Sequence, residues 1–198
     1  MPLAPLSSVD ASALRWLRSG DSPIAFTLAS GETSIAQLRW ARHGGSLASA
    51  ETSEATWTLK RGGFLNPHVT IRGAGEVSDI ARISAHLSSH RIEVRGGAAY
   101  RFHRAGLLVP AWTISTEDGR GIAHMEPVRQ GRRLEGGAVI CTPDGAKLPE
   151  LLLLVVASWY FIVLAWFEDE ALVPLEGAET PPAAGGAKSP VSAEPRDP

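Results

Sequence analysis

A single cysteine, Cys141, stands in a chain of 198 residues. No internal disulfide can form, and no cysteine-based metal site. Asparagine is almost missing, with Asn66 alone, and Lys60 and Lys147 are the only lysines before Lys188. Alanine, glycine, arginine and proline are plentiful instead, a bias that suggests a GC-rich bacterial genome. The opening MPLAPLSSVD has neither a basic n-region nor an apolar h-region. It is not read as a secretory signal, and a cytoplasmic protein is expected. Strong charge of one sign is absent too, the formal net charge being −2. The acidic excess lies in residues 168–198, which leaves 1–167 mildly basic. That is far from a nucleic-acid footprint, so no such partner is expected.

The motifs of common chemistry are also missing. There is no GxSxG nucleophile elbow, no P-loop and no dinucleotide fingerprint. Gly73-Ala74-Gly75 reads as a turn, because no helix follows it. The six histidines form no HExxH or HxH pattern. His86 and His90 are four apart, which suits a metal only on a helix, and the run around His86 reads as strand then turn. Glu168, Asp169 and Glu170 read as a solvated helix end. No catalytic residue, metal or cofactor is expected, and the protein is read as a non-enzyme.

Long uncharged runs are rare as well: there is one, Leu151 to Phe167, LLLLVVASWYFIVLAWF. It holds neither Gly nor Pro, and Pro149 before it suits a first helical turn. As a helix it is roughly 25 Å long and apolar all round, so it must be buried in lipid or in protein. Its length is at the lower limit of a membrane span. Trp159 and Tyr160 sit in its middle, whereas membrane helices place such residues at the interfaces. Ser158 beside them adds a third polar group at that depth. Two fates therefore compete: the filling of a barrel, or a tail anchor with a cytoplasmic β-domain.

The rest of the chain favours the barrel. From Pro23 to Thr142 short alternating runs are cut by turn residues every 8 to 12 positions, as in an all-β sandwich or barrel. The runs are Ile24–Leu28, Thr33–Arg42, Ser46–Glu51, Ala55–Arg61, His68–Arg72, Asp79–His86, Arg91–Arg95, Ala99–Arg104, Ala111–Thr116, Arg120–Glu126 and Leu134–Thr142. One parity is dry (Leu38 and Trp40, Trp57 and Leu59, Val69 and Ile71, Tyr100 and Phe102) and the other is polar. His103 and His124 are expected to share one side of the barrel. About eight strands fill their own barrel with side chains, and more leave a lumen. A helix about 10–12 Å across would fill that lumen.

The expected fold is mainly β: an antiparallel meander closed into a barrel of 11–12 strands around a buried C-terminal helix. Residues 1–22 are expected to be an N-terminal segment with a short helix over Ala11–Arg18, capped by Asp10. Residues 23–170 form the barrel domain with its central helix at 149–167. Residues 171–198, rich in Pro, Ala and Gly, are expected to be disordered.

Three segments carry a family resemblance: WTLKRGGFLNPHVTIR (57–72), AAYRFHRAGLLVPAWTISTEDGRGIA (98–123) and LPELLLLVVASWYFIVLAWF (148–167). A β-meander closing on an apolar C-terminal helix resembles the tubby C-terminal-like superfamily. That superfamily includes tubby-like proteins, phospholipid scramblases and the plant LURP-one-related proteins. The resemblance implies a twelve-stranded barrel around a buried helix. Some members bind phosphoinositides through basic residues on the barrel surface, and scramblases are linked to lipid movement and calcium. This chain has neither an EF-hand-type acidic loop nor a cysteine-rich stretch.

The residues offer one basic surface of that kind. Lys60 and Arg61 end one strand and Arg72 ends the next, so a hairpin would bring them to neighbouring sites. Arg129, Arg132 and Arg133 lie in another loop. The function expected is a non-catalytic binding or interaction module recognising anionic phospholipid head groups through Lys60, Arg61 and Arg72, with the protein associating with membrane. A purely structural or partner-binding protein is the further alternative.

Overall fold

The computed structural model describes residues 2–63, 65–86, 89–105 and 111–172. Twelve antiparallel strands close into one barrel in sequence order, and the last pairs with the first. They are β1 (Ala13–Asp21), β2 (Ile24–Ser30), β3 (Thr33–Trp40), β4 (Leu47–Thr52), β5 (Thr56–Gly62) and β6 (His68–Gly73), then β7 (Asp79–His86), β8 (Ser89–Val94), β9 (Ala99–Ala105), β10 (Ala111–Thr116), β11 (Gly121–Gln130) and β12 (Arg133–Cys141). One helix follows, α1 (Leu151–Leu172). Each of the eleven expected runs is a strand. His103 and His124 flank Thr113 on one side of the wall, as expected.

The twelfth strand corrects the expected helix over Ala11–Arg18. Leu14 and Leu17 share a helical spacing, but the residues that point inward are Leu14 and Trp16, at 3% and 0% exposed. Period two therefore governs the segment, and Leu17 faces out. Tertiary pairing decides the matter. Trp16 lies opposite Leu28 on one side and Gly137 on the other. Without β1 the sheet would end in two unpaired edges, and a closed barrel has none. The barrel domain thus begins at Ala13, not at residue 23. The expected disordered tail lies, from residue 173 on, outside the described residues, while 171 and 172 end α1.

The direction of α1 follows from the topology. β12 ends beside the start of β1, where Ile140 pairs with Ala13. The helix begins ten residues after Cys141, at this lower rim. It runs up the lumen to the opposite rim, where Glu168 meets Arg61 and Asp169 meets Arg129. Leu151–Asp169 has the length and hydropathy of a membrane span, yet 72% of that apolar stretch is buried inside the protein.

Three consecutive aromatics fasten it. Successive helical residues point about 100° apart, so each reaches a different sector of the wall. Trp159 stacks on Trp16 at 5.6 Å and meets Phe26 edge-on. Tyr160 stacks on Trp40 at 5.6 Å and donates its hydroxyl proton to the Ser46 carbonyl. Phe161 packs edge-on against Phe102 and Trp112. At the upper rim Trp166 Nε1 donates to the Arg132 carbonyl at 2.7 Å. Mid-helix Trp and Tyr are therefore interior plugs.

Candidate anion-binding site

Register decides where the expected basic residues go. In the β5–β6 hairpin Lys60 is opposite Thr70, Arg61 is opposite Val69, and Thr58 is opposite Arg72. Lys60 and Arg72 are thus diagonal neighbours on the outer face. Arg61 is not with them. It shares parity with buried Leu59 and Val69, so it points inward at the upper rim, where it pairs with Glu168. Arg72 is held by Asp79 at 2.7 Å. The hairpin brings together two of the three charges and sends the third to the inner side. Arg129 and Arg133 are engaged as well, with Asp169 at 3.3 Å and with Asp21 at 3.0 Å.

The outer wall carries more positive charge than the hairpin alone. Each strand from β5 to β9 presents one base outward: Lys60, Arg72, Arg82, Arg91 and Arg101. Thr70 pairs with both Lys60 and Arg82, which places these two about 10 Å apart in one row. Arg91 is directly opposite Arg101. Like charges directly opposite each other destabilise a sheet. Glu117 at 2.8 Å and Glu93 at 3.6 Å offset the Arg91 charge. Lys60, Arg82 and Arg101 are exposed and make no ion pair with a described residue. Arg82 and Arg101 escape a sequence reading confined to one hairpin. The signal was the alternation itself, which puts a base on the wet side of five successive strands.

On the inner side of the same strands the barrel opens. A cleft of about 310 Å³ separates the end of α1 from β6, β7 and β8. Phe161, Ala165 and Glu168 lie along one face of α1 and are partly or fully exposed, while Tyr160, Val163 and Trp166 are buried. Ala85 faces them from β7, paired with His90 on β8. The short side chain of Ala85 leaves room in the gap. Val69 and Ile83 form its floor with Phe161. The His90 ring is 4.2 Å from Phe161. Burial holds the His90 pKa below its ordinary 6.5, so the ring is neutral at pH 7. Cys141 lies elsewhere and is buried, which pushes its thiol up to about 11 and removes it as a nucleophile at neutral pH.

Comparisons with protein-family models, with curated proteins and with solved structures found no match to this chain.

Proposed function

We propose that the protein is a non-catalytic binding module that recognises anionic phospholipid head groups on the outer wall of β5–β9, reversibly, at the cytoplasmic face of a membrane. The observation that carries this reading is the basic excess on one curved face, where Lys60, Arg82 and Arg101 make no ion pair with a described residue and Glu93, opposite Arg82, lies 3.6 Å from Arg91 instead. Lys60, Arg82 and Arg101 stand on alternate strands, β5, β7 and β9, and Arg91 opposite Arg101 works against pairing. An anionic surface would reverse the sign of that term. The resemblance of the chain to tubby-like proteins, some of which bind phosphoinositides, supports the same class of ligand. The Arg61 component of the expected site does not enter this reading, since it faces inward.

Each basic side chain near an acidic bilayer contributes about 1 kcal/mol. Three together amount to about 3 kcal/mol, or about 150-fold in partitioning. The wild-type chain should float with vesicles containing phosphatidylserine or phosphoinositide and stay behind with neutral phosphatidylcholine. The triple variant Lys60→Ala, Arg82→Ala, Arg101→Ala should lose most of that flotation, and added salt should weaken the wild type. Equal flotation with neutral vesicles, or an unaffected triple variant, overturns the reading. Absence of binding to every vesicle would favour a partner-binding role, and carbonate-resistant association a tail anchor.

A further inference from the structure

The cleft inside β6–β8 is separate from the basic outer wall, and its chemistry is different. Its floor is apolar, from Val69, Ile83 and Phe161, and its side wall is the flat ring of His90. One cation stands at its rim, Arg61, already bonded to the carboxylate of Glu168. At about 310 Å³ it falls at the low end of the roughly 300–1,000 Å³ of small-molecule sites. That space suits one short chain or ring and is too small to enclose a diacyl lipid.

We infer that the cleft binds a small amphiphilic carboxylic acid, its apolar body on Phe161 and its carboxylate on Arg61. The head group follows from the charges. A phosphate dianion would face Glu168 with a single guanidinium for support, whereas one carboxylate matches what Arg61 already holds. The guanidinium has five donors in a planar fork and can serve a second carboxylate or exchange one for another. Both partners of the Arg61–Glu168 pair are solvent-accessible, at 42% and 55%, so exchange needs no opening of the core. Glu168 thus stands where the ligand head belongs and competes with it. The inference goes beyond the membrane reading, because it concerns a free monomeric acid and the opposite face of the strands.

Octanoate and octanol are the probes, titrated in calorimetry with the full chain and no vesicles. Octanoate should bind one site. Arg61→Gln should weaken octanoate about tenfold and leave octanol unchanged. Glu168→Gln should strengthen octanoate. Ala85→Trp, at an exposed strand end, should fill the cleft and abolish binding of both while circular dichroism and melting stay as in the wild type. Should Ala85→Trp fail to fold, the Arg61→Gln contrast between acid and alcohol decides alone. No octanoate binding at millimolar concentration overturns the inference. So does equal loss of octanoate and octanol in Arg61→Gln, or undiminished binding in a folded Ala85→Trp. Loss of vesicle flotation in the outer-wall triple variant should leave octanoate binding intact, which keeps the two sites distinguishable.

Discussion

Gly137 is a wall position packed directly against the Trp159 ring of α1. A Cβ there would lie 2.6 Å from the Glu126 carbonyl and 2.9 Å from Cη2 of Trp159. The missing side chain is what lets Trp159 lie flat on Trp16. Gly137→Ala should therefore strain the stack and cost about 1–3 kcal/mol, the usual penalty of overpacking. Gly121 is the internal control, since a Cβ there meets only Thr142 Cγ2 at 3.8 Å. Gly121→Ala should stay within about 0.5 kcal/mol of the wild type. Urea denaturation of both variants measures the contrast, and equal midpoints would refute this account of the stack. A second residue matters at the upper rim. The Arg18 side chain is 8% exposed, donates to Asp21 at 2.7 Å and to the Leu134 carbonyl at 2.9 Å, and lies over the rings of Phe26 and Trp166. A nearly buried cation of this kind is satisfied by hydrogen bonds and ring faces together.

At the scale of the element, α1 is a core helix with the composition of a membrane span. Trp159→Asp tests this directly. A carboxylate at that depth has no partner, and it also removes the stack on Trp16 and the edge contact to Phe26. The variant should be insoluble or unfolded, read by sedimentation and near-ultraviolet circular dichroism. A soluble, normally packed variant would mean that the lumen does not depend on this helix. Much of this arrangement was legible beforehand. Eleven strands could be read because apolar and polar residues alternate and because glycine or Asn-Pro cuts fall between them. β1 was lost because Leu14 and Leu17 mimic a helical turn, and because only closure of the sheet shows that Trp16 must face in. The inward turn of Arg61 was legible in principle, since Trp57, Leu59 and Arg61 share parity. The cleft was not, because its lining comes from β5 to β8 and from α1, which are distant in the chain.

For the molecule as a whole, the lower rim carries an acidic excess: its loops hold Glu32, Glu54, Glu76, Glu117, Asp118, Asp144 and Glu150 against Arg95, Arg120 and Lys147. At the upper rim Arg61 and Arg129 are paired with Glu168 and Asp169 from the end of α1. The positive end of the α1 dipole lies at the rim with the acidic excess. The closing seam between β1 and β12 is tied by the same kind of force. Asp21 at the end of β1 accepts from Arg18 at 2.7 Å and lies 3.0 Å from Arg133 at the start of β12. The Arg18 hydrogen bond, with the Arg133 charge beside it, holds the Asp21 carboxyl below its ordinary 3.8. A folded-state value below the unfolded one means that ionised Asp21 favours the fold. That contribution is complete above the ordinary value and is lost as pH falls from 3.8 through the lowered one. Asp21→Asn should therefore melt below the wild type at pH 7, with the gap closing as both are acidified below about pH 4. Melting temperatures of the pair across pH 2–7 measure it. Arg18 and Arg133 remain in both proteins, so a gap that persists unchanged at the acid end would assign the loss to the shape of the side chain, and the seam would then be held by backbone pairing alone.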